Sequence, residues 1–137
     1  MRLQALLIVS IMLTSCAPSP EGAIFSVATY NAYCLFDGIG DGDEFEGFRK
    51  ADGYSEAVYD ERIRNLAVML GREVDADVII LEEVESEIVL MDLLERGLGR
   101  KGYRYYGLAS DGSDAVNVGF VSRIGPISSH IHSFEGE

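Results

Sequence analysis

Basic residues are scarce in this chain: 11 Lys and Arg stand against 23 Asp and Glu, a formal net charge of −12 over 137 residues. That balance argues against a protein that grips nucleic acid through a broad cationic surface and counterion release. Arg62, Arg64, Arg72, Arg96, Arg100 and Arg104 do gather, yet acidic residues are interleaved with most of them. Cysteine is scarcer still. With only Cys16 and Cys34 there is no disulfide framework to read, and if Cys16 is modified Cys34 has no partner. The apolar neighbours Tyr33, Leu35 and Phe36 suit Cys34 to a small buried role, and no local His or Lys is at hand to activate its thiol. A membrane-length run is lacking as well: the apolar stretch over residues 3–13 falls short of the roughly 20 residues a helical span needs. No internal repeat is visible.

What is present suits one globular core, with 47% hydrophobic and 25% charged residues. Ahead of it, Met1-Arg2, a short apolar segment and small residues describe an export signal over residues 1–15. Leu13-Thr14-Ser15-Cys16 resembles the lipobox of bacterial lipoproteins, which implies that Cys16 becomes the first mature residue and carries the lipid. An ordinary secretory signal or a misplaced start are the alternatives. Residues 16–23, with Pro18 and Pro20, read as a short tether, and residues 24–137 as the domain. The expected location is the bacterial cell envelope, with the membrane as a partner through the anchor.

Residues 24–30 are β-branched and aromatic with near-continuous apolarity, which predicts a central strand stopping at Asn31. Residues 37–53, rich in Gly and Asp, predict a long exposed loop. A calcium loop is the sharper alternative, but Ile39 and Phe45 sit where oxygen ligands belong. Ile63, Leu66, Ala67, Leu70 and Val74 recur at helical spacing and predict a helix over residues 55–74. Residues 78–81 lack alternation and predict a strand covered on both faces, ending at Glu82-Glu83. Ser86 is the expected N-cap of a second helix with Leu90, Met91, Leu94 and Leu98 on its stripe. Strands follow at 103–106 and 115–121, and a last one is expected to begin within 127–134.

Two strand ends thus present one amide and one carboxylate, a plausible half of a metal-phosphate site. A magnesium ion wants carboxylate oxygens and keeps several waters, so Glu83 alone is a legitimate ligand when a phosphate supplies others. Asn31 cannot ionise, but its amide can donate to a phosphate oxygen and accept from a metal-bound water. Each has a plainer reading, Glu83 as a surface residue at a strand terminus and Asn31 as a turn cap. His130 and His132, two apart on the expected last strand, would share a face. A zinc pair is conceivable there, and solvent-facing polar residues on an edge strand are the better account.

Taken together, Val27-Ala28-Thr29-Tyr30-Asn31, Asn65-Leu66-Ala67, residues 76–85 ending Leu81-Glu82-Glu83-Val84-Glu85, and residues 116–123 resemble the N-terminal half of the endonuclease/exonuclease/phosphatase superfamily. The similarity runs from about Phe25 to Ser128. It implies a deoxyribonuclease I-like α/β (α+β) fold, part of a two-sheet β-sandwich flanked by helices. It also implies magnesium-dependent, or manganese-dependent, hydrolysis of a phosphoester, with nucleic acid among the candidate substrates. Asn31 then corresponds to the residue that helps bind metal and phosphate, and Glu83 to the metal-coordinating glutamate; both are the catalytic and metal-site candidates. Ser122-Arg123 is expected to serve structure first and substrate second.

The chain departs from that pattern in places. Glu82 stands where relatives usually have Gln, Tyr33 where they often have a carboxylate or amide, and residues 114–117 where bacterial relatives are more basic. The later Gly-Asp-x-Asn and Ser-Asp-His motifs have no counterpart. The expectation is therefore a truncated first half, inactive by itself for want of a histidine-carboxylate dyad, with a complementing C-terminal half as partner. The alternative is a non-catalytic lipid-anchored binding module that retains the scaffold.

Overall fold

A computed structural model describes residues 24–110 and 112–132. The expected signal, the tether and Cys16 lie outside the described residues. The architecture is mixed α/β: strands β1 (Val27–Leu35), β2 (Val78–Val84), β3 (Tyr105–Ala109) and β4 (Asn117–Ser122) form one sheet in the order β1-β2-β4-β3. β1 and β2 run parallel, whereas β4 is antiparallel to both of its neighbours. Helices α1 (Glu56–Met69) and α2 (Glu87–Arg96) carry the connections.

The first helix follows its sequence signals. Ser55 is the N-cap and its side chain accepts the Val58 N–H, which satisfies one of the first-turn donors. Tyr59, Ile63, Leu66 and Ala67 are buried, and the helix continues as a π-helical turn over Leu70–Val74 that stops at left-handed Asp75. α2 differs from expectation: Val89, Leu90 and Leu93 face the core while Met91 is exposed. Ser86 holds the N-cap position without donating or accepting a capping bond. Both helices cover the same sheet face, meeting Ile79, Leu81, Val84 and Val121 in one apolar core.

Four expectations are corrected. β1 is an edge strand of the described sheet, its only partner being β2, and it runs past Asn31 to Leu35 because Leu35 and Phe36 are drawn into the core. The strand expected at 103–106 starts two residues later, since Tyr103 is buried with its hydroxyl donating to Ala76 O at 2.5 Å. Residues 127–132 are not a strand. The loop of residues 37–53 is partly built into the fold: Phe36, Phe45, Phe48 and Tyr54 form an aromatic cluster, with centroids 5.5 to 5.6 Å apart along it, and Glu44 is buried. Glu44 accepts the N–H groups of Asp41 and Gly42 through its carboxylate.

Among the described residues no helix or second sheet lies on the other sheet face, so β2 is layered on one face and not, as expected, on both. Phe25, Val78, Ile80, Phe120, Ile124 and Pro126 line a shallow apolar groove there, and Val118 is 46% exposed. Burial on one face and apolar exposure on the other explain why β2 shows no alternation.

Candidate functional site

The strand ends that carry Asn31 and Glu83 are made irregular by inserted residues. Asn31 pairs with Glu82 and Leu35 with Val84, so three residues of β1 stand opposite one of β2. Between β2 and β4 the partners step from Leu81↔Gly119 to Val84↔Asn117, which leaves one extra residue in β2. The backbone absorbs these in the left-handed region at Tyr33 (φ 57°), Cys34 (φ 52°) and Glu83 (φ 61°). None is a residue that favours it, and such a conformation costs about 1–3 kcal/mol each. Three strained residues therefore converge on one spot.

The strain brings the two sequence-derived site residues together. Asn31 Nδ2 donates to Glu83 Oε1 at 2.8 Å. Glu83 Oε2 accepts the Cys34 N–H at 3.0 Å and faces its Sγ at 3.2 Å. These bonds, that from Asn31 foremost, hold the Glu83 carboxyl below the ordinary glutamate range, so it is ionised at neutral pH. Burial and then Glu83 push the Cys34 thiol up, so it stays protonated and donates. Asn31 Oδ1 accepts the Tyr33 N–H at 2.7 Å, which fixes the amide; its Nδ2 keeps a second hydrogen for a ligand.

Glu82, Glu83, Ser110, Asp114, Asn117 and His132 line a cleft of about 470 Å³ at this end of the sheet. His130 lines a separate depression with Ile80, Val118 and Phe120, apart from the cleft that His132 lines. Arg123 is at the opposite end of the sheet, its N–H donating to Asp77 O, about 20 Å along the strand from Glu83 by strand rise. It donates to Asp75 and to Lys101 O and stacks on Tyr103, which makes it structural.

Among the described residues no three His, Cys, Asp or Glu side chains converge on a common point. Magnesium needs no such cage, since it binds through one or two carboxylates and retains water. An ionised, half-buried Glu83 with one lone pair of Oε1 still unspent fits that requirement, and the Asn31 amide fits a phosphate oxygen beside it. Sequence reasoning missed Cys34 and Arg62. The thiol lies on Glu83, and Arg62 turns inward from α1 to the carbonyls of Ala32, Tyr33 and Cys34.

Comparison with family models, with curated proteins and with solved structures finds no match to this chain.

Proposed function

We propose that this chain contributes the metal and phosphate side of a magnesium- or manganese-dependent phosphoester hydrolase of the deoxyribonuclease I-like kind. The observation that carries the reading is the Asn31–Glu83 pair, an amide and an ionised carboxylate 2.8 Å apart, of which Glu83 lines a cleft. Glu83 would hold the cation, and Asn31 would steady Glu83 while offering its free N–H to a phosphoryl oxygen. The bound cation would supply charge stabilisation for the phosphoryl oxygens and leaving group. The uncovered apolar sheet face supports a sandwich in which a second sheet, brought by a complementing polypeptide segment with the acid-base groups, completes the fold. The Cys16 anchor would place this activity at the cell envelope.

The test is hydrolysis of bis-p-nitrophenyl phosphate with magnesium, manganese or EDTA, by the chain alone and by the chain joined to whatever is encoded after Glu137. Metal-dependent turnover is expected of the joined form, with loss in Glu83→Ala. Turnover that survives EDTA or that substitution, or no turnover by the joined form, overturns the proposal.

A further inference from the structure

We propose that Arg62 is the positioning residue of this site, a latch that holds the β1 insertion in the conformation through which Cys34 fixes the Glu83 carboxylate. The inference deepens the metal-site reading above and rests on it for its functional consequence.

Two successive left-handed residues turn the carbonyls of Ala32 and Tyr33 out of the sheet ladder, where they need another donor, while the Cys34 carbonyl takes the Phe36 N–H at 3.0 Å and has a lone pair to spare. One guanidinium meets all three. Arg62 Nη2 donates to Ala32 O at 2.7 Å and to Tyr33 O, and Nη1 donates to Cys34 O at 2.9 Å. Only arginine offers a planar fork of five donors that can satisfy diverging acceptors from one position. The fork is itself held, lying 5.4 Å from the centroid of the Phe48 ring with Nη1 3.5 Å from the Tyr54 hydroxyl. Helix α1, the aromatic loop and β1 therefore meet at this group. The same backbone inversion aims the Cys34 N–H at Glu83 Oε2. Arg62 touches neither the carboxylate nor the cleft, and acts on both through the peptide it holds.

The full chain is compared with Arg62→Met, Arg62→Lys and a control, Arg64→Met, whose guanidinium meets only Asp60, at 3.8 Å, on the helix surface. Two quantities are read: manganese affinity, from the paramagnetic resonance of the free ion, and the chemical shift and exchange rate of the Cys34 amide proton. Arg62→Met should weaken manganese binding about tenfold to a hundredfold, as loss of a group that orients a ligand does. It should also move the Cys34 amide upfield and speed its exchange, with Arg62→Lys between and Arg64→Met unchanged. Wild-type affinity and a wild-type Cys34 amide in an Arg62→Met protein that keeps its helical circular dichroism overturn the inference. If that variant does not fold, Arg62→Lys decides by the same two readouts. If the wild-type chain binds no manganese, the metal reading fails; the Cys34 amide still decides the latch, upholding it if perturbed and overturning it if unmoved.

Discussion

Glu85 Oε2 accepts the backbone N–H of Asp37 at 2.7 Å, tying the end of β2 to the start of the acidic loop. Burial, together with the nearby charges of Asp37, Asp41 and Glu44, pushes the Glu85 carboxyl up to about 7 despite that bond. The folded state thus binds this proton more tightly than the unfolded chain, whose glutamates titrate near 4.5. The resulting stability is fully present below pH 4.5 and is lost as pH rises to about 7. Half exposure limits the change to about 1 kcal/mol. Urea unfolding from pH 4.5 to 8 should show the decline, and Glu85→Gln should flatten it. Glu83 and Asp77, both held low, act in the opposite sense and only below the ordinary carboxylate range.

Arg123→Lys should destabilise by about 1–2 kcal/mol, because an ammonium cannot keep the stacking on Tyr103, 4.4 Å from its centroid, together with bonds to Lys101 O and Asp75. Chemical denaturation measures it, and metal affinity should not change.

Gly119→Ala should cost about 1–3 kcal/mol by overpacking. Its Cβ would stand 2.9 Å from Leu90 Cδ1 and 3.2 Å from the backbone oxygen of Gly107, and the latter cannot swing aside. The melting temperature reports this.

The open sheet face should bind the dye anilinonaphthalene sulfonate and promote self-association. Val118→Lys, placed at an exposed position on it, should reduce both without loss of helical signal. Dye fluorescence and light scattering check the expectation.

Much of the scaffold was legible because it rests on local chemistry. The Ser55 cap, the helical spacing of Ile63, Leu66, Ala67 and Leu70, and the unbroken apolarity of β2 each announce their element. The edge position of β1 was not legible, since Val27 and Tyr30 read the same whether or not a further strand pairs along the free side of β1. Nor was the inward turn of Arg62, which is written in tertiary contacts. One signal was there to be read. Two glutamates separate the apolar Leu81 and Val84, a spacing of three that a period of two does not allow on one face without an inserted residue, and the structure buries both. The left-handed pair Tyr33 and Cys34 left no trace, because neither is a residue type that marks such backbone.

That inserted residue is Glu83. Delete it on paper and β2 becomes an ordinary ribbon in which Val84 moves up one place and still points at the helices, so the sheet has no architectural need of it. Evenly pleated β structure would be easier to build. The chain instead tolerates an awkward peptide, and through it a carboxylate from one strand is clasped by the amide and thiol of the next.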